Sequence, residues 1–204
     1  MIKTLIFDFG NVFINLNLEA AYNHALEKFQ IESLSEEMLG FNSFYEQGLI
    51  STEEFLDFYS QNFPNLSNEE LIDVWNYMLK DFPKQRLDFL KELKSNSNYK
   101  LILLSNTNAL HIDFIKTNVL FFDEFKDCFD TFYLSHEINL VKPNQDIFEF
   151  VLNENNLIAG ECLFIDDNKD NISTAKNMNF KTWHINPETE DVITLFETKK
   201  TYFK

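Results

Sequence analysis

A chain of 204 residues is long enough for one substantial hydrophobic core, with or without a smaller insertion, and too short for three independent domains. The net charge of −16 argues against nucleic acid as a partner, because binding to a phosphate backbone depends on clustered Lys and Arg. The first residues lack a basic leader, and no apolar stretch approaches the ~20 residues of a membrane span. We therefore expect a cytoplasmic protein that binds neither nucleic acid nor membrane.

The cysteine and phenylalanine contents further narrow the class of protein that we expect. Cys128 and Cys162 lack the CxxC or His spacing of a zinc site, so we predict two buried thiols in a reducing compartment. The 23 Phe, with only four Gly and four Pro, indicate a well-packed, loop-poor protein. Phe can supply an interface as well as a core, so a monomer and a homodimer both remain open.

Compact apolar runs along the chain predict strands, which are KTLIFDF, KLILLSN, TFYLS, CLFIDD and, near the C-terminus, KTWHIN. Each of the first four ends in small or polar residues, which is typical of a parallel strand covered on both faces. Helical patterns follow the second, third and fourth runs, at 109–119, 145–155 and 170–177. This alternation predicts an α/β fold with a mostly parallel sheet.

The interval between the first two strands holds no convincing strand. It contains amphipathic helical patterns, several of them introduced by capping signals such as STEEF, at 20–29, 35–45, 52–61 and 68–79. We predict a small helical bundle inserted into the α/β domain. In this division, residues 15–85 form the insertion, and residues 1–14 and 86–204 form the core.

Polar side chains stand at the predicted carboxyl ends of the strands, where an open parallel sheet collects its ligands. They are Asp8 after the first strand, Ser105 and Asn106 after the second, Lys142 a few residues past a third, and the pair Asp166 and Asp167 after CLFI. A carboxylate nucleophile, a phosphate clamp, a fixed positive charge and oxygen ligands for a hard cation are the parts of a magnesium-assisted phosphoryl-transfer site.

Each of these residues has a plainer interpretation when taken alone. Asp8 can cap a turn, Ser105 can cap the next helix, and Lys142 can be a solvated loop residue. Asp166 and Asp167 are harder to dismiss, because adjacent acids repel each other unless a cation or donor lies between them. The occurrence of all of them in this order, each at a strand end, favours the phosphoryl-transfer site.

These residues resemble the motifs of the haloacid dehalogenase (HAD) superfamily over essentially the whole chain. FDFGNV resembles its first motif, LLSN its second, Lys142-Pro143 its third and FIDDNKDNI its fourth. Within the superfamily the likeness is to the bacterial glucose-1-phosphate phosphatases and to the phosphatase domain of soluble epoxide hydrolases. The resemblance implies a HAD-like, Rossmann-type three-layer core with an inserted α-helical cap. It also implies a Mg²⁺-dependent phosphatase that acts on a small phosphorylated metabolite such as a sugar phosphate.

The resemblance also assigns roles by position. Asp8 would attack phosphorus and form an aspartyl-phosphate, and Lys142 would neutralise charge on Asp8 and on the transferring group. Ser105 would hold a phosphoryl oxygen, with help from the backbone N–H of Asn106.

The same resemblance implies a metal site. Magnesium would bind the carboxylates of Asp8 and Asp167 and the backbone carbonyl of Gly10. Asp166 would orient either a metal-bound water or Lys142, and Asn171 stands where many relatives have a further acid.

Gly10 departs from the pattern, because most family phosphatases carry a second Asp there that protonates the leaving oxygen and then activates the hydrolytic water. Gly10 can donate its carbonyl to a metal but cannot transfer a proton, and a missing general acid or base typically costs about 10² to 10⁴ in rate. Asn11 could orient a water but not deprotonate it, and His24, His111 and His136 are weak substitutes. Without a surrogate, phosphoenzyme should accumulate.

Two other functions remain open at this stage. A haloacid dehalogenase uses the same Asp on carbon without a metal, so the acid pair at 166–167 counts against it. A nearly silent binding protein would explain Gly10. The substrate is not specified by the sequence, although the insertion offers plausible contributors to specificity, which are Phe13, His24, Phe44, Tyr45 and Gln47.

Overall fold

The computed structural model describes residues 1–203 and contains one five-stranded sheet. The strands are β1 (Thr4–Phe7), β2 (Lys100–Ser105), β3 (Thr131–Leu134), β4 (Cys162–Asp166) and β5 (Lys181–His184). Their order is β3-β2-β1-β4-β5, and every neighbouring pair is parallel. The predicted α/β class and its five strands are confirmed.

Eleven α-helices occur within residues 1–203. Four lie between β1 and β2, namely α1 (Leu18–Phe29), α2 (Glu36–Glu46), α3 (Thr52–Asn62) and α4 (Asn68–Asn76). The others are α5 (Lys84–Asn96), α6 (Ala109–Asn118), α7 (Phe122–Lys126), α8 (Ser135–Ile138), α9 (Gln145–Asn155), α10 (Lys169–Asn177) and α11 (Leu195–Thr198). No helix among these residues is both long enough and apolar enough to cross a membrane.

The sheet is covered on both faces, which makes the core three-layered. Successive side chains of a strand point to opposite faces, so Leu5 and Phe7 enter one hydrophobic cluster and Ile6 enters the other. The first cluster is completed by α5, α6 and α7, and the second by α9 and α10. The expected Rossmann-type arrangement of helices on both sides of a parallel sheet is therefore confirmed.

The structure corrects two details of the sequence interpretation. TFYLS is β3, an edge strand in which Thr131, Phe132 and Tyr133 are only half-buried, so its prediction as a fully covered strand is wrong. Helix α5 was not predicted, because its sequence, KQRLDFLKELKSN, is strongly charged and its buried stripe is narrow. Leu87, Leu90 and Leu93 form that stripe.

Helices α1–α4, here called the helical segment, have a hydrophobic cluster of their own, built from residues such as Phe29, Tyr45, Phe55 and Leu71. Helix α3 begins with a reciprocal capping box between Ser51 and Glu54, and α4 begins with the same arrangement. The four predicted helices are confirmed, with ends that differ by up to three residues.

Both cysteines are free and buried, as predicted. Cys128 lies in the cluster on one face of the sheet and Cys162 in the cluster on the other, so the two thiols are separated by the sheet.

Candidate active site

The carboxyl ends of β1 and β4 bring two buried carboxylates to one buried lysine. Lys142 Nζ lies 2.9 Å from Asp8 Oδ1 and 2.7 Å from Asp166 Oδ2. The exposed fractions are 3% for Lys142, 9% for Asp8 and 0% for Asp166. Burial by itself would lower the pKa of Lys142, but the two carboxylates outweigh it and raise that pKa. Lys142 is therefore a fixed cation beside the predicted nucleophile.

Asp8 presents its two oxygens differently. Oδ1 accepts hydrogen bonds from Lys142 and from the backbone N–H of Phe9 at 2.7 Å, whereas no residue in 1–203 donates to Oδ2. Burial raises the pKa of Asp8 to about 7, against the opposing charge of Lys142 and with a further increase from Asp166. One carboxylate oxygen is thus held in place and the other is left for an incoming group.

The Asp166 carboxylate accepts hydrogen bonds from several donors. The Asn171 amide donates to both of its oxygens, at 3.1 and 3.0 Å, and the backbone N–H of Asn168 donates to Oδ1 at 2.7 Å. Lys142 takes the remaining position on Oδ2. Of the two roles considered for Asp166, these contacts favour the orientation of Lys142.

An oxygen-rich group lies beside this lysine. Carboxylate oxygens of Asp8, Asp166 and Asp167 all lie within 4.8 Å of one another. Asp167 is half-buried, which raises the pKa of its carboxyl, and its Oδ2 accepts a hydrogen bond from the Asn11 amide at 2.8 Å. The Gly10 carbonyl accepts no hydrogen bond from residues 1–203. Asp8 and Asp167 therefore offer carboxylate oxygens of the kind that a hard cation such as Mg²⁺ binds, and the Gly10 carbonyl follows Asp8 by two residues in the chain.

Ser105 is buried at the end of β2, the strand beside β1, and Asn106 follows it. The Asn106 side chain forms two hydrogen bonds with the backbone of Lys142, donating to its carbonyl at 2.8 Å and accepting from its N–H at 2.9 Å. Sequence reasoning gave Asn106 only a backbone role. Its side chain positions the loop that carries Lys142, and no sequence pattern marks a pairing across 36 positions.

Glu46 is a site residue that the sequence analysis missed. It is the last residue of α2, and its Oε1 accepts a hydrogen bond from the Asn106 amide at 3.1 Å. Burial raises the pKa of its carboxyl, in opposition to Lys142 and to the bond from Asn106. Its neighbours Tyr45 and Gln47 were considered as specificity residues, but nothing in the sequence distinguishes Glu46 from the many other acids of the helices.

The turn after Glu46 is bound to α8 and to Asn139, the residue that follows this helix. The Ser135 hydroxyl lies 2.7 Å from the Glu46 carbonyl oxygen, and the Asn139 amide donates to the carbonyls of Gln47 and Gly48 at 2.8 and 3.2 Å. Gly48 has a φ of +68°, and a Cβ added there would lie 2.0 Å from the carbonyl oxygen of His136. Only glycine allows this close approach of the two backbones.

Replacement of Gly48 by Ala should separate the turn after Glu46 from α8. The left-handed backbone and the clash with a backbone oxygen predict a loss of about 2 kcal/mol or more in the free energy of unfolding, together with reduced activity. Gly40, within α2, is the matched control, because nothing lies within 4 Å of a Cβ added there. Gly40→Ala should stabilise the protein by about 0.5–1 kcal/mol. Equal unfolding free energies for the two variants in urea titrations would contradict the role given to Gly48.

The residues considered for specificity are dispersed. Phe13 is fully buried in the core against Phe7 and Phe125, so its assignment to the insertion surface is wrong. Tyr45 is buried, and its hydroxyl accepts from the backbone N–H of Leu110. His24 stacks on Tyr77, with ring centroids 4.0 Å apart. Phe44 is half-exposed, and Gln47 contributes its carbonyl to the turn described above.

The strand-end carboxylate, the buried lysine and the paired acids belong to a similarity with a known protein family that covers most of the chain. The profile of the haloacid dehalogenase-like hydrolases matches residues 2–179. The chain belongs to this family. The resemblance seen in the sequence motifs is thereby confirmed.

Individual members of the family are similar over nearly the full length. A D-ribitol-5-phosphate phosphatase from Bacteroides thetaiotaomicron is 28% identical over 201 residues, which cover 90% of this chain and 91% of that protein. A HAD family enzyme from the same organism, solved as a magnesium complex, is 32% identical with a TM-score of 0.85, over 96% of this chain and 98% of the other. A HAD-like hydrolase from Porphyromonas gingivalis is 29% identical, with a TM-score of 0.83 over 97% of both chains.

Proposed function

We propose that this protein is a Mg²⁺-dependent phosphatase that hydrolyses a small phosphorylated metabolite, a sugar phosphate or a phosphorylated polyol, through an aspartyl-phosphate on Asp8. The observation that carries the proposal is the 2.9 Å contact between Lys142 Nζ and Asp8 Oδ1 inside a buried site. A buried cation beside a carboxylate gives the transferring phosphoryl group a site for its negative charge.

The enzyme class is supported by the comparisons with known proteins as well as by this contact. The family match, the phosphatase among the relatives and the HAD enzyme solved with magnesium all support a phosphoric monoester hydrolase. The relative that hydrolyses D-ribitol 5-phosphate supports a polyhydroxylated substrate.

Each of the candidate site residues would have its own role in the reaction. Asp8 Oδ2, which no described residue engages, would attack phosphorus, while Lys142 holds Oδ1 and is itself held by Asp166. Ser105 would bind a phosphoryl oxygen from the end of β2. Asp8, Asp167 and the Gly10 carbonyl would hold the magnesium ion, which supplies charge neutralisation for the phosphoryl oxygens when bound.

We further propose that the helical segment is the cap implied by the family resemblance, with the division at 15–85 as predicted. The two chain segments that connect it to the core run side by side. Asn15 N–H donates to the Asp81 carbonyl and Lys80 N–H donates to the Asn15 carbonyl, both at 2.9 Å. The end of α2 contacts Asn106, which follows β2, and Ser135, the first residue of α8 after β3.

Two alternatives are weaker. Attack on carbon, as in a haloacid dehalogenase, needs no metal and gives no reason for carboxylate oxygens of Asp8, Asp166 and Asp167 to lie within 4.8 Å of one another. A silent binding protein is supported by Gly10 alone, whereas the intact set of Asp8, Ser105, Lys142 and Asp167 counts against it.

A panel of phosphorylated sugars and polyols, D-ribitol 5-phosphate included, tests the proposal in Mg²⁺ and in excess chelator. We expect phosphate release only with Mg²⁺. Magnesium alone should also raise the melting temperature of the chelator-treated protein, because ligand binding to the folded state stabilises it. Asp167→Asn should remove most of that increase. Asp170→Asn, the same substitution at an exposed position of α10, should not.

No phosphate release from any member of the panel, with a normal Mg²⁺-dependent melting shift, would favour the silent binding protein. Full turnover in chelator would contradict the metal requirement.

A further inference from the structure

The Asp that the family resemblance leads us to expect at the position of Gly10 has no replacement among Asn11, His24, His111 and His136. The Asn11 amide donates to Asp167, and its carbonyl oxygen accepts from the backbone N–H of Leu16. The His111 ring contacts the Trp75 carbonyl and the Asn108 side chain, and burial lowers the pKa of His111 to about 4. His136 Nδ1 lies beside the Thr107 carbonyl, and the ring of His24 stacks on a tyrosine of the helical segment.

Glu46 is positioned to do this work. In an in-line displacement the leaving oxygen lies on the side of phosphorus opposite the nucleophile. Asp8 stands at the end of the central strand β1, whereas Glu46 comes from the helical segment and lies over the ends of β2 and β3, where Asn106 and Ser135 hold it. Its carboxyl comes from the helical segment and reaches the lysine that contacts Asp8 through the Asn106 side chain, which is bound to the Lys142 backbone.

The carboxyl of Glu46 is also unusual in its surroundings. It is half-buried, and no Lys, Arg or His in residues 1–203 forms an ion pair with it. Its hydrogen-bond donor is the same Asn106 nitrogen that binds the Lys142 carbonyl, so Glu46 is coupled to the loop of the catalytic lysine. A half-buried acid without a cationic partner destabilises a fold, which is a reason to seek a functional role for it.

The environment of Glu46 favours its protonated form more than water does. Burial raises the pKa of its carboxyl, and Lys142 is the charged group that acts against this. The helices that pack on α2 contribute other titratable side chains, which are His136 and Glu137 on α8 and Glu53, Glu54, Asp57 and Tyr59 on α3. A carboxylic acid whose pKa is raised towards neutrality is suited to give and take protons at physiological pH.

We propose that Glu46 is the general acid and base of the reaction and takes the place of the acid absent at Gly10. The inference rests on the proposed phosphatase function. In the first step Asp8 Oδ2 bonds to phosphorus, the bond from phosphorus to the ester oxygen breaks, and that oxygen receives the proton of Glu46. In the second step water attacks phosphorus, the bond to Asp8 breaks, and Glu46 accepts a proton from the water.

Glu46→Gln tests the proposal, because Gln retains an oxygen that can accept the bond from Asn106 and loses only the exchangeable proton. The matched control is Glu37→Gln, at an exposed position in the first turn of the same helix. Each variant is assayed with D-ribitol 5-phosphate, whose alkoxide must be protonated to leave, and with p-nitrophenyl phosphate, whose phenolate leaves without a proton.

With the alkyl ester, kcat of Glu46→Gln should fall about 10²- to 10⁴-fold, while Glu37→Gln stays within about twofold of wild type. With the aryl ester, rapid mixing should show a burst of about one equivalent of nitrophenolate followed by slow turnover, because only hydrolysis of the phosphoenzyme then needs the base.

The second variant is Gly10→Asp in the Glu46→Gln background, which should recover activity at least about tenfold. A Cβ at Gly10 meets only the flexible end of Leu16, at 2.7 Å.

Several outcomes would overturn the role of Glu46. They are an unchanged kcat on the alkyl ester, a rise in KM alone, and equal losses on both esters without a burst. The last result, with or without a lower melting temperature, would make Glu46 a structural residue. Absence of wild-type turnover on both esters and on every other member of the phosphate panel would overturn the proposed phosphatase function itself. Normal wild-type turnover with an unaffected Glu46→Gln would overturn only the inference about Glu46.

Discussion

Asp8→Asn is expected to abolish phosphate release while leaving the fold intact. The substitution preserves the size of the side chain and the hydrogen bond from Phe9 N–H, but an amide oxygen does not attack phosphorus. Removal of the nucleophile from an enzyme with a covalent intermediate costs roughly 10⁴- to 10⁶-fold in kcat. The measurement is Mg²⁺-dependent phosphate release, with circular dichroism and the melting temperature recorded in parallel.

The control for this substitution is Asp170→Asn, which changes an exposed acid close to the same site and should retain full activity. A labelled substrate adds a direct test, since wild-type protein quenched during turnover should carry acid-stable aspartyl-phosphate and Asp8→Asn should carry none. Full metal-dependent turnover by Asp8→Asn would show that another group is the nucleophile.

Lys142→Met should cause the largest loss of stability of any single substitution at the site. It leaves the buried carboxylates of Asp8 and Asp166 without a cation, and removing one partner of a buried ion pair typically costs about 3–5 kcal/mol in the free energy of unfolding. Phosphate release should be lost as well, because the transferring group loses its fixed positive charge.

The loss should depend on pH in a defined direction. Burial raises the pKa of Asp8 to about 7 even with Lys142 present, against about 4 in an unfolded chain. A group whose pKa is raised on folding favours the folded state at low pH and loses that effect as pH rises through the folded value. Lys142→Met should therefore be destabilised less at pH 5 than at pH 8 in urea titrations.

Lys84→Met is the matched control for the loss of a lysine. Lys84 pairs with Asp88 on the surface of α5, where such an i,i+4 pair contributes only about 0.3–0.5 kcal/mol. If Lys142→Met loses no more unfolding free energy than Lys84→Met, or if its loss is equal at both pH values, Lys142 is not the compensating charge of a buried carboxylate pair.

The strands and their end residues could be predicted from the sequence because both are local properties. LIF before Asp8, LILL before Ser105 and LFI before Asp166 are short apolar runs with polar ends, and parallel strands bring such ends to one edge. The edge position of β3 could not be predicted, because its apolar residues look the same whether or not a second neighbour covers them.

The sequence by itself determined the α/β class, the helical segment between β1 and β2, and the candidate set Asp8, Ser105, Lys142 and Asp166-Asp167. Only the tertiary structure decided that the Asn106 side chain binds the backbone of Lys142, that Gly48 allows a close approach of two backbones, and that Glu46 at the end of α2 accepts a hydrogen bond from Asn106. The physical reason is the range of the interactions. Strand ends follow from residues next to each other, whereas the contacts of Glu46 join residues 60 and 89 positions apart, and these depend on where a helix end lies over the sheet.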